Sequence, residues 1–220
     1  SNGQIQEALN GVETLTKDYP DEPLLYNLSG ACYKAIGQLD VAVKCYEKAL
    51  ALKPDYTEVN YNLGVTLKEL GQLDAAVKCY ERAIAIKPDY ADAHNNLGNA
   101  LMELGRLDAS VKSCQKALSI KPDFADAHFN LGITFQKLKQ LDKALESYES
   151  AIALDPNIDF ALGVLLNTKM HLCLWDDISN RLNELTKKIN NDEKVIIPFS
   201  FLALIDDPEV QRKNAGIFVG

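Results

Sequence analysis

The chain has 220 residues, 47% of them hydrophobic and 25% charged, the proportions of an ordinary folded chain with enough apolar material for a core. Its net charge of −8 argues against nucleic acid or an anionic membrane surface as a partner. No apolar run approaches the roughly 20 residues that a bilayer crossing needs.

A period of 34 residues organises the chain. With positions in each copy numbered 1 to 34, four copies begin at Pro23, Thr57, Ala91 and Ala125. Residues 4–22 match the second half of such a copy, with Ala8 at position 20, Val12 at 24, Leu15 at 27 and Pro20 at 32. The chain is therefore expected to open on the second helix of a truncated repeat, in a natural protein that extends further towards its N-terminus.

Residues 23–158 are the four copies. At about 100° per residue, positions 4, 7, 8 and 11 share one side of a first helix. They hold Asn60, Leu63, Gly64 and Leu67 in the second copy, with His94 and His128 at position 4 of the third and fourth. The histidines are expected to be packed side chains. Glycine at position 8 lets a second helix come close, and that helix offers Ala42, Ala76, Ser110 and Ala144 at position 20. Its other inward positions are 24 (Tyr46, Tyr80, Cys114, Tyr148) and 27 (Ala49, Ala83, Ala117, Ala151). Gly37, Gly71 and Gly105 at position 15 stop the first helix, and Pro54, Pro88, Pro122 and Pro156 at position 32 end the second. Each copy is a helix hairpin that buries its apolar face only against its neighbours. The five cysteines fall on helix faces with no disulfide pattern, so a reducing, cytoplasmic setting is expected.

Beyond Ile158 the period weakens. Residues 159–192 read as a degenerate helix hairpin with Leu166 where glycine is expected, an aspartate N-cap in the link Leu174-Trp175-Asp176-Asp177, and Trp175 as a buried anchor. Residues 193–220 read as the truncated start of a linker or following domain. Asp207-Pro208 opens a helix there, and the apolar segment 195–205 is expected to pack on the last hairpin or drive self-association.

Leu-Gly at 7–8, alanine at 20, an aromatic at 24, alanine at 27 and proline at 32 resemble the tetratricopeptide repeat. The resemblance implies an all-α, right-handed superhelical solenoid of antiparallel helix hairpins that binds proteins or peptides in its concave groove. KMHLCLWDDI and, after a spacer, PFSFLALIDDPEVQRKNA are similar to the segment joining the repeats to the catalytic part of O-linked N-acetylglucosamine transferases and Spindly-like proteins. That second resemblance implies the substrate- or adaptor-recruiting arm of a glycosyltransferase. The alternative is a tetratricopeptide scaffold or co-chaperone with no catalytic domain attached.

Positions 2, 5, 6, 9 and 13 of the first helix lie roughly 150–180° from the buried stripe and are expected to line the groove. Position 6 is Asn62, Asn96 and Asn130, and the first copy has Leu28 there with Asn27 beside it. An amide both donates and accepts, so such a column can hold a peptide backbone without reading its side chains; bracing of the neighbouring helix is the competing role. The resembled transferases carry an asparagine ladder along their repeats. Tyr61, Asn95 and Phe129 at position 5 and Asn99 at position 9 complete the candidate surface. Glu58, Asp92 and Asp126 at position 2 read either as an acidic stripe favouring basic or neutral peptides or as capping-box partners of Asp55, Asp89 and Asp123. Lysines at position 31 read as solvated. No catalytic residue, cofactor motif or metal-ligand spacing emerges, and the lysine-poor wall speaks against a clamp for a carboxylate tail.

Overall fold

The computed structural model describes the backbone of residues 2–194, 196, 205 and 207–219. These form twelve helices and no strand, in two compact units, residues 1–120 and 121–220. The first unit holds α1 (Asn2–Asp18), α2 (Pro23–Ala35), α3 (Leu39–Leu52), α4 (Thr57–Glu69), α5 (Leu73–Ile86), α6 (Ala91–Glu103) and α7 (Leu107–Ile120). The second holds α8 (Ala125–Lys137), α9 (Leu141–Leu154), α10 (Ala161–His171), α11 (Ile178–Asn190) and α12 (Pro208–Val219).

In the first unit α2/α3, α4/α5 and α6/α7 are hairpins that stack in chain order, α3 packing on α4 and α5 on α6. The inward alanines and tyrosines of the second helices are all but inaccessible: Ala42, Ala49, Ala76, Tyr80 and Ala83 at 0% and Tyr46 at 1%. Position 8 shows why it carries glycine. A Cβ on Gly64 would lie 2.7 Å from the Tyr80 ring, and one on Gly132 would lie 2.6 Å from Tyr148.

Position 4 tolerates three chemistries because all do one job. The Tyr26 hydroxyl and Asn60 amide donate to the carbonyls of Pro20 and Pro54, and the His94 and His128 rings pair with those of Pro88 and Pro122, at 2.8 to 3.2 Å. Each ties the start of a first helix to the turn before it. Ser29, standing where the period has leucine, is buried and donates to the Leu25 carbonyl at 3.0 Å, which satisfies its hydroxyl.

First helices of the repeats close with a six-to-one bond, for example Gln72 N–H to the Leu67 carbonyl at 2.9 Å. The residue between is left-handed: Gly37, Gly71 and Gly105 at φ 74 to 77°. The fourth copy makes the same closure with Lys139 at φ 62°. All five non-glycine residues with positive φ, Lys139, Phe160, Cys173, Asp177 and Asp192, belong to the second unit.

Several sequence expectations are corrected. Asp55, Asp89 and Asp123 are not N-caps. The N-cap position falls one residue later, on Tyr56, Tyr90 and Phe124, with no side-chain cap bond; the aspartates sit too early to reach the free amides of the first turn. Lys53, Lys87 and Lys121 do not simply point into water, since each ammonium lies 4.7 to 5.1 Å from the centroid of the aromatic ring three residues on. In α1, Leu9 is buried at 3% but Ala8 is exposed and Leu15 is 46% exposed. Those two positions are covered in later copies by the first helix of the same hairpin.

In the second unit α8/α9 form a hairpin, α10 packs on α9, and α11 touches α10 and α12 more lightly. Leu166 is fully buried in the place of a close-approach glycine, so α10 cannot receive α11 as the earlier first helices receive their partners. Trp175 is 62% exposed, in the turn between α10 and α11, and anchors nothing. Asp177 precedes α11 but makes no cap bond; its carboxylate accepts from the Asn180 amide and pairs with Arg181. Asp207 does cap α12, accepting from the Glu209 N–H at 2.9 Å. The expected self-associating segment 195–205 lies outside the described residues except for Ile196, buried, and Ile205, half-buried.

Candidate functional site

The first helices are buried on two flanks, one more than the sequence reading assigned. Positions 4, 7, 8 and 11 meet the second helix of the hairpin. Positions 3 and 10 are equally dry, with Val59, Ala93, Ala127, Thr66, Ala100 and Thr134 all at 0%. The threonine hydroxyls are satisfied by the carbonyls of Asn62 and Asn130 one turn back. The signal was present as a run of small or β-branched residues at both positions. With two flanks covered, a narrow stripe through positions 2, 6, 9 and 13 remains the most open part of these helices, mixing carboxylates and amides with apolar side chains such as Leu24, Leu28 and Val65.

Asn62 and Asn96 stand half-buried in that stripe. The Asn62 Nδ2 donates to Asn27 Oδ1 at 3.2 Å, and the Asn96 Nδ2 donates to the Tyr61 hydroxyl at 2.9 Å. Position 6 of one helix thus reaches position 5 of the helix before it. The amide column braces successive first helices, and each of these two amides retains a second N–H and its carbonyl oxygen. Asn27 and Asn95 are buried at 4% and 5%, beneath the stripe rather than on it. Asn99 is half-buried. In the second unit Asn130 is 9% exposed, and Phe129 is half-buried against Tyr148 at 5.8 Å between ring centroids.

Glu58, Asp92 and Asp126 are exposed in the first turns of their helices, where the helix dipole favours carboxylates. Tyr61 and Tyr90 pair beside Glu58 and Asp92, centroids 5.0 Å apart. Burial raises the Tyr61 pKa, the Asp92 carboxylate adds to the rise, and the Asn96 bond opposes it. Burial pushes Tyr90 up to about 12, with Tyr61, Asp92 and Glu58 contributing in that order. Lower on the stripe the charges are paired, Lys34 with Glu69 at 3.0 Å and Lys68 with Glu103 at 3.1 Å.

Among the described residues, no group of three His, Cys, Asp or Glu side chains could hold a metal ion, and no helix is long and apolar enough to cross a membrane. All five cysteines are free thiols.

Short helix pairs at a fixed period, closed by left-handed turns and stacked through alanine and glycine, define a helical-repeat scaffold. The TPR repeat family model matches residues 30–71, 66–105 and 98–139, and the tetratricopeptide repeat model matches 125–158. The chain belongs to the tetratricopeptide repeat family. No curated protein matches it. Among solved structures, a crystal structure of MamA is 26% identical with a TM-score of 0.66, over 70% of this chain and 90% of that one. MamA 41-end from Desulfovibrio magneticus RS-1 is 18% identical with a TM-score of 0.69, over 75% and 93%. YrrB, described as a TPR protein with an unusual peptide-binding site, is 16% identical with a TM-score of 0.66, over 95% and 100%. The last two likenesses show the fold alone.

Proposed function

We propose that the chain is a protein-binding scaffold that takes extended peptides along the uncovered stripe of its first helices. The observation that carries this reading is the pair Asn62 and Asn96, half-buried and each held by the preceding helix through one Nδ2 bond. Side chains fixed in this way lose little entropy when a peptide N–H or carbonyl docks on their remaining groups. The peptide-binding site named for YrrB is consistent with this use of the fold. The glycosyltransferase-arm reading rests on the tail's sequence resemblance alone, and residues 198–204 and 206 of that tail lie outside the described residues.

The test begins with peptides selected on the chain from a random display library. Their affinity is then measured by fluorescence anisotropy against the triple variant Asn62→Ala, Asn96→Ala, Asn130→Ala. Binding is expected to weaken about tenfold or more for peptides of unrelated sequence, with helical circular dichroism unchanged. Equal affinity for the variant, or selection of peptides that bind elsewhere, would refute the proposal.

A further inference from the structure

The uncovered stripe of the first unit changes chemistry from copy to copy. On α2, positions 2 and 6 are Leu24 and Leu28, exposed at 48% and 42%. On α4 and α6, position 2 is Glu58 and then Asp92, both exposed. The two kinds of carboxylate on this wall are in different states. Glu69 and Glu103 are each held by a lysine of the preceding first helix, whereas neither Glu58 nor Asp92 has an ion-pair partner among the described residues. The turn lysines nearby, Lys53 and Lys87, lie over the rings of Tyr56 and Tyr90. The wall therefore offers two leucines, then two unpaired carboxylates, with the Tyr61–Tyr90 pair between the second and third copies.

Resting on the peptide-groove reading, we infer that this wall selects a segment with one bulky apolar side chain and two basic ones. The apolar side chain seats on Leu24 and Leu28, and the lysines or arginines reach Glu58 and Asp92. The two exposed leucines on one helix offer apolar surface to a side chain of the segment, and the carboxylates beside them set the charge it carries. A lysine or arginine stem is apolar and packs along the tyrosine rings while its head meets the carboxylate. The spacing follows from the stack. Packed helices lie about 8–10 Å apart, and an extended chain advances about 3.3 Å per residue. Neighbouring copies are thus read about three residues apart, and the favoured pattern is an apolar residue with basic residues about three and six positions away.

The probes are three fluorescent decapeptides in a serine–glycine background: leucine with two lysines at that spacing, leucine with two glutamates, and serine with two lysines. The leucine–lysine peptide is expected to bind at least about tenfold more tightly than either control, and to weaken as salt rises. Glu58→Gln with Asp92→Asn should remove that advantage while leaving helix content intact. The charge-reversed pair Glu58→Lys with Asp92→Lys should transfer the preference to the glutamate peptide. If library-selected peptides bind through the amide column but the lysine and glutamate probes bind alike, with no response to either variant, this inference is overturned and the groove reading stands. If those selected peptides are also indifferent to the amide substitutions, the groove reading itself has failed.

Discussion

Replacing Tyr80 and Tyr148 with phenylalanine at the same register position should move stability in opposite directions. Both rings are fully buried against the position-8 glycine of their own hairpin. The Tyr148 hydroxyl donates to Gln136 Oε1 at 2.8 Å, while the Tyr80 hydroxyl is buried with no hydrogen-bond partner among the described residues. Deleting the bonded hydroxyl loses a net hydrogen bond worth about 1 kcal/mol, since the half-buried Gln136 can recover part of it from water. Deleting the unbonded one removes a desolvation penalty of about 1–3 kcal/mol, against a few tenths of a kcal/mol of lost dispersion contacts. The two variants should differ by roughly 2 kcal/mol, Tyr80→Phe more stable than the parent and Tyr148→Phe less. Urea unfolding followed by circular dichroism reads this as midpoints displaced in opposite senses by about half a molar, for a slope of about 2 kcal/mol per molar. A Tyr80→Phe protein destabilised as much as Tyr148→Phe, with unchanged slope, would show that the orphan hydroxyl carries no penalty.

Lys139→Gly should stabilise the fourth repeat by about 0.5–1 kcal/mol, because Lys139 holds a left-handed φ of 62° where the other copies carry glycine; a lower melting temperature would contradict this. Gly64→Ala should cost about 1–3 kcal/mol, since its Cβ would be driven against the Tyr80 ring at 2.7 Å. The exposed Gly11, with nothing within reach of a Cβ, should tolerate alanine or gain from it, and equal loss at both sites would refute the close-approach explanation. Alkaline stability should fall between about pH 10 and 12. Burial raises Tyr46 from 10.0 to about 12, so below pH 10 its contribution is whole. Above pH 10 the unfolded chain loses the proton first, and roughly 2 kcal/mol disappears by pH 12. Tyr46→Phe should flatten that part of the profile, and an unchanged profile would count against burial as the cause.

The hairpins were legible because their signals are local in period: glycine against an aromatic, alanine against alanine, and proline at the end, repeated until chance is excluded. What stayed hidden depends on the neighbouring copy. Val59, Ala93, Thr66 and Ala100 are ordinary helix residues until the second helix of the preceding hairpin covers them. The Asn62–Asn27 and Asn96–Tyr61 bonds each join residues 35 positions apart, a separation that no reading of a single helix reveals. The aspartates of the turns looked like caps because their residue type is right and their position is one step wrong. Trp175 looked like an anchor because large aromatics usually bury, yet the short turn carrying it has nothing to press it against. Packing holds position 8 to glycine and position 11 to a large apolar side chain, while the stripe at positions 2 and 6 meets no such constraint. In the first unit the copies do differ there, leucine giving way to carboxylate at position 2 and to amide at position 6. In a repeat fold the residues that break the period outside the packed positions are therefore the ones to test for partner choice.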